Sequence, residues 1–154
     1  MTENEVIKRL GLEPLTGEGG YFRRSYAGKE QDGKPAYSVI YYMETPDSFS
    51  HLHRLPTDEI YHFYLGDPVE LCLISPEGEF RRVLLGQALA DGMQVQYAVP
   101  AGWWQGSKLL PGGAWALLGT TMAPGYTDED YTGADAQALC RQYPDLTDEI
   151  KRFV

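Results

Sequence analysis

His51, His53 and His62, the three histidines of the chain, fall within twelve residues of one another, in the segment Phe49–Gly66. One residue separates His51 from His53. Side chains of an extended strand alternate faces with period two, so these two imidazoles point the same way, and Glu59, Tyr61 and Phe63 form a second same-side set beyond the intervening turn. Two imidazoles and a carboxylate can therefore converge. Neutral imidazole nitrogen and carboxylate oxygen suit Fe(II), Mn(II), Ni(II) or Zn(II), and such a set leaves positions open for a substrate. The same groups can instead move protons, with no metal. His62 has the opposite parity to Glu59 and is expected to pack on the other side of its strand.

The elements that must position these groups are short and mostly β. Thr2 followed by Glu5 is a capping box, Val6, Ile7 and Leu10 make an apolar stripe, and Gly11 can end the helix. Gly17, Gly19 and Gly20 announce irregular backbone before a strand over Tyr21–Tyr26. Further strands are expected at Tyr37–Met43, Phe49–His53, Ile60–Leu65, Val69–Ser75, Glu79–Leu85, Gln94–Val99 and Ala114–Thr121. Between them lie turn signals such as Gly66-Asp67-Pro68, Ser75-Pro76-Glu77-Gly78 and Pro111-Gly112-Gly113, where Pro sets φ and Gly permits chain reversal. Gaps this short leave no room for crossover helices, so a sandwich or closed barrel is expected rather than a parallel α/β sheet. Ala134–Gln142 and Thr147–Phe153 carry helical periodicity on either side of Pro144.

The 154 residues fit one domain, 1–154, able to bury a full core without staples. No stretch approaches the roughly eighteen apolar residues of a membrane span. With 22 acidic and 13 basic residues the net charge is −9, and the basic residues are scattered. A polyphosphate backbone would be repelled, so nucleic acid is not an expected partner. Cys72 and Cys140 have no metal-type spacing and read as buried or half-buried thiols. The amino terminus lacks the basic and apolar regions of a secretory signal, and a cytoplasmic location is expected.

A second segment, Gly92 to Gln105, has the form glycine, strand, Pro100-x-Gly102, then a polar residue three positions on. Together the two segments resemble the paired motifs of the cupin superfamily, G-x5-H-x-H-x3,4-E-x6-G and G-x5-P-x-G-x2-H-x3-N. Glu59-x6-Gly66 and Pro100-x-Gly102 match. The interval from His53 to Glu59 is one residue longer, Thr45 stands at the leading glycine, and seven residues separate Gly92 from Pro100. Gln105 occupies the place of the second-motif histidine, and its uncharged amide oxygen is a poor metal ligand. A narrower resemblance covers nearly the whole chain: Ser38-Val39-Ile40-Tyr41-Tyr42, Ser50-His51-Leu52-His53-Arg54, Asp58-Glu59-Ile60-Tyr61-His62, Val99 to Gln105 and Ala123-Pro124-Gly125-Tyr126 look like the cupin_5 (DUF985) family.

That resemblance implies an all-β jelly roll, or double-stranded β-helix, with a short N-terminal helix and one or two C-terminal helices. It also implies a homodimer and similarity to nucleotide-sugar epimerases of the RmlC type. Within it the weight moves from His51 to His53, Glu59 and Gln105. His53, Glu59 and Tyr61 are the expected catalytic set, with His51, His53, Glu59 and Gln105 as the metal set should a divalent metal bind. Arg54 offers a planar fork to an anion. Tyr42, Phe63, Trp103 and Trp104, with Gln105, are expected around a small-molecule ligand. Three readings stay open: a divalent-metal-dependent enzyme acting on a small polar substrate in the barrel, a metal-free epimerase-like enzyme using His and Tyr as base and acid, and a non-catalytic binding module.

Overall fold

The computed structural model describes residues 1–154. Helix α1 (Glu3–Leu10) opens with the expected capping box between Thr2 and Glu5 and ends at Gly11 in the left-handed region. Thirteen strands follow: β1 (Glu13–Pro14), β2 (Tyr21–Ala27), β3 (Glu30–Gln31), β4 (Lys34–Pro35), β5 (Ser38–Glu44), β6 (Ser50–Arg54), β7 (Glu59–Gly66), β8 (Val69–Ile74), β9 (Phe80–Leu85), β10 (Gln96–Val99), β11 (Trp104–Leu109), β12 (Ala116–Met122) and β13 (Thr132–Gly133). Helices α2 (Ala136–Gln142) and α3 (Thr147–Lys151) close the chain. No helix is long and apolar enough to cross a membrane.

The strands build two antiparallel sheets facing each other. One runs β1-β2-β5-β12-β7-β10, the other β13-β6-β11-β8-β9, and β3-β4 form a separate hairpin. From β5 to β13 the chain alternates between the sheets at every step except the β8–β9 hairpin, which is jelly-roll connectivity. Strand parity sorts side chains into three packed layers. Tyr42, Tyr61, Phe63, Leu71, Leu73 and Leu118 meet between the sheets. Residues one position away point outward: Met43 and Leu117 receive Val6 and Leu12 around α1. On the other outer face, Leu52, Cys72, Ile74 and Trp104 receive Leu139, Ile150 and Phe153 from the C-terminal segment.

Strand β11 was not among the expected strands. Its central Gly106, Ser107 and Lys108 have weak strand preference, and burial between β6 and β8 overrides that preference. Both cysteines are free, and burial pushes the Cys72 thiol up to about 12.

Glu70, almost fully buried on β8, is the anchor of the C-terminal segment. Arg152 Nη1 and Nη2 donate to its two carboxylate oxygens at 2.9 and 2.7 Å, and Arg82 Nε lies 3.1 Å from Oε1. Burial alone would raise the Glu70 pKa, but the two guanidiniums outweigh it and hold the carboxylate below its usual range. Replacing Glu70 by Gln removes one charge from three, leaving Arg82 without its carboxylate and Arg152 with Glu149 alone, at 2.7 Å. The expected loss is about 2 kcal/mol of unfolding free energy, readable by urea denaturation.

Candidate functional site

A cavity of about 310 Å³ opens between the sheets. Its polar lining comes from Glu18, Arg24, Tyr42, His53, Glu59 and Tyr61, with Tyr126 and Asp128 also on its wall. Leu15, Phe22, Ile40, Leu55 and Met122 supply apolar surface. His53 and Glu59 arrive from the two sheets: β6 lies in one, β7 in the other. The short β6–β7 connection therefore folds across the barrel and brings both residues to one space.

His53 is only 2% exposed. Its Nδ1 lies 2.8 Å from the His51 carbonyl oxygen, which can only accept, so Nδ1 carries a proton. In the neutral ring Nε2 then holds the lone pair. Nε2 lies 3.8 Å from Glu18 Oε1, and the Tyr131 ring stacks against the imidazole at 5.3 Å between centroids. The ring is thus fixed in tautomer and in orientation.

Glu18 is carried by the turn before β2, and that turn is pinned at several points. Ser50 Oγ donates to Glu18 Oε1 at 2.8 Å, the backbone N–H of His51 donates to the Glu18 carbonyl at 2.9 Å, and the His51 ring donates to the same carbonyl from Nδ1. Tyr42 donates its hydroxyl to the Gly19 carbonyl at 2.8 Å. Glycine is required next to Glu18: Gly19 has φ 100° and a Cβ there would fall 2.1 Å from the Phe49 carbonyl oxygen.

Glu59 is 7% exposed, and its Oε2 has no hydrogen-bond partner. Burial raises its carboxyl to about 7, and the Glu18 charge adds to the rise while His53, Thr120 and Gln105 oppose it. A carboxyl in that range exchanges a proton at neutral pH. Burial, with the carboxylates Glu18, Glu44 and Glu59 nearby, pushes the hydroxyls of Tyr42 and Tyr61 well above the usual tyrosine range. Both stay protonated at neutral pH.

The structure brings together His53, Glu59, Tyr61 and Tyr42 of the residues expected from sequence. Gln105 pairs with His53 across β6 and β11 and is buried beside Glu59, with its own Oε1 unpartnered. Phe63 lies in the core between the sheets and does not line the cavity. Arg54 and Trp104 sit together elsewhere, the guanidinium 4.9 Å from the indole centroid. They have the opposite parity to His53 and Gln105, so they face away from the barrel interior. Trp103 packs against the rim of the core, under Arg81. His62 faces outward, as its parity implies, bonded to Thr121 Oγ1 at 3.0 Å and Gln96 Nε2 at 3.1 Å.

The four residues of the expected metal set do not fit a metal. His51 directs Nδ1 at a backbone carbonyl, packs its ring on Phe49 at 4.5 Å between centroids, and does not line the cavity. Gln105 offers only an amide. No three His, Cys, Asp or Glu side chains gather closely enough to hold one ion. Sequence reasoning missed Glu18, Arg24, Tyr126, Asp128 and Tyr131. Glu18 had a signal, a lone carboxylate among Gly17, Gly19 and Gly20.

The chain matches the Cupin_5 family, Cupin superfamily (DUF985), over residues 4–134. It belongs to that family. Among solved structures, this cupin is similar to protein SO0799 from Shewanella oneidensis, with 32% identity, a TM-score of 0.94, and coverage of 99% of this chain and 97% of that one. It is similar also to a hypothetical protein from Leishmania major, with 32% identity, a TM-score of 0.92, and coverage of 100% and 99%. Over 98 residues it is 29% identical to the uncharacterized protein YML079W of Saccharomyces cerevisiae, which takes in 62% of this chain and 49% of the yeast protein. The cupin thus matches about half the length of that curated relative. Oxalate decarboxylase from Bacillus subtilis shares the fold alone, at 12% identity and a TM-score of 0.61, with coverage of 93% of this chain and 37% of that one.

Proposed function

We propose that the cupin cavity is a metal-independent proton-transfer site acting on a small polar carbonyl compound. His53 Nε2 takes a proton from the carbon beside the carbonyl. The C–H electron pair moves toward the carbonyl, whose oxygen takes the proton of Glu59, and an enol results. Return of the proton from His53 to the same face, and of the hydroxyl proton to Glu59, restores the carbonyl compound with hydrogen exchanged at that carbon; a proton taken from solvent on the opposite face, with the His53 proton released to solvent, inverts it, and nothing is consumed. Tyr61 donates a hydrogen bond to the oxygen that gains charge, while Tyr42, whose hydroxyl proton goes to the Gly19 carbonyl, holds the Glu18 turn in place. Glu18 stabilises the imidazolium that forms on His53.

The observation that carries this reading is the state of His53: Nδ1 is tied to the His51 carbonyl, while Nε2 lies beside Glu18 in the cavity that Glu59 also lines. Such a fixed tautomer is what a general base needs. A backbone carbonyl holds the tautomer, which leaves Glu59 to act as the acid. Nucleotide diphosphates are poor candidates, because the lining sets one arginine against Glu18, Glu59 and Asp128.

Chelator-treated protein in deuterium oxide should catalyse exchange into small carbonyl compounds such as dihydroxyacetone, fructose and 5-oxohexanoate, followed by proton NMR. Deuterium should enter the carbon beside the carbonyl of at least one of them. No incorporation above the buffer rate with any would count against the reading.

A further inference from the structure

Arg24 is an exposed residue of β2 that lines the cavity. It pairs with Ile40 on β5, Ile40 with Thr120 on β12, and Thr120 with Tyr61 on β7. Ile40 packs on the core between the sheets and Tyr61 is buried in it, so the whole row lies on the inward face. Arg24 ends that row at the open side of the cavity and is the only Lys or Arg in its lining. Nη2 donates to the Tyr126 carbonyl at 2.8 Å, which holds the guanidinium in place. It makes no ion pair with any carboxylate of the protein. Its other donors are free to take an anion as a planar fork.

Leu15, Phe22, Ile40 and Met122 form apolar wall in the same cavity, and His53, Glu59 and Tyr61 are its buried polar groups. Two strand spacings, about 10 Å, separate the backbone of Arg24 from that of Thr120, and Tyr61 is one strand further. We propose that Arg24 is the carboxylate-binding subsite of this cavity, selecting short oxo acids: the carboxylate sits on the guanidinium, the methylene body along the apolar wall, and the carbonyl at His53 and Glu59. A monoanion fits better than phosphate, because Glu18, Glu59 and Asp128 share the lining and oppose added negative charge. The placement of the carbonyl end rests on the proton-transfer reading; the anion subsite rests on Arg24 alone.

The test is binding by isothermal titration and NMR shift perturbation, using 5-oxohexanoate, its methyl ester and inorganic phosphate. The acid should bind about tenfold or more tightly than the ester, with phosphate weaker than the acid. Arg24→Gln should erase the preference for the acid without changing ester binding, and Arg24→Lys should keep part of it. Equal binding of acid and ester, an undiminished preference in Arg24→Gln, or no binding of the acid at millimolar concentration would each overturn the subsite. Arg54→Gln, on the outer face beside Trp104, should bind the acid as the wild type does. Discriminating binding without deuterium exchange would sink the proton-transfer reading and keep the subsite; exchange without discrimination would do the reverse.

Discussion

Replacing His53 by Gln is expected to slow deuterium exchange by about 10²–10⁴-fold, the usual worth of a positioned general base, while leaving the fold intact. Gln can still donate to the His51 carbonyl and fill much of the imidazole volume, so near-ultraviolet circular dichroism and the melting transition should stay close to wild type. The pH dependence separates a chemical role from a structural one. Glu59 must hold its proton to act as the acid, and its carboxyl lies at about 7, chiefly through burial. Exchange should therefore fall as pH rises above about 7. Glu59→Gln should lower the rate and abolish that alkaline limb. A His53→Gln protein that exchanges at the wild-type rate would remove the base from the scheme.

Glu44 carries the second large effect. It is fully buried on the inward face of β5, with Ser107 Oγ donating to Oε1 and no partner for Oε2. Burial raises its carboxyl from 4.5 to about 8, the Glu18 charge adds to the rise, and Ser107 with the backbone of Ser50 oppose it. Because the folded-state value lies above the unfolded one, the native protein binds the extra proton. The contribution of Glu44 to stability is then greatest below about pH 4.5, declines as pH rises toward 8, and levels off above. Glu44→Gln keeps the Ser107 contact but lacks the titration. Between pH 5 and pH 8 the wild type should lose roughly 3 kcal/mol more unfolding free energy than the variant, measured by urea denaturation across pH. Glu59 contributes in the same direction but is present in both proteins, so the difference isolates Glu44. Parallel stability curves would contradict this assignment.

Parity and turn chemistry made much of this molecule legible in its sequence. The two-residue period put Glu59 with Tyr61 and turned His62 outward, and the capping box placed α1. Three things were hidden, each for a physical reason. Glu18 reaches His53 across more than thirty residues, through a glycine turn whose path depends on where Phe49 and Tyr42 stand. The strand through Gly106-Ser107-Lys108 is made by its neighbours rather than by its own preferences. The separation of His51 from His53 could not be read from spacing, because the β6–β11 register shifts between them, so that Gln105 pairs with His53 but Ser107 with Ser50, and the His51 ring goes to the Glu18 carbonyl. Arg54 and Trp104 illustrate the converse. Their types suit a ligand, yet the parity that favours His53 and Gln105 sends them to the outer face.

At the centre of this account is a buried His53–Glu59 site poised to move protons at neutral pH. Carboxyl carbon-13 NMR of protein labelled at glutamate, with Glu59→Gln to assign the resonance, measures the Glu59 titration directly. The expected midpoint is near 7 and falls when Glu18 is replaced by Gln, since the Glu18 charge helps hold it up. A midpoint at or below the ordinary 4.5 would mean that Glu59 is a fixed carboxylate at neutral pH, and would contradict its role as the acid.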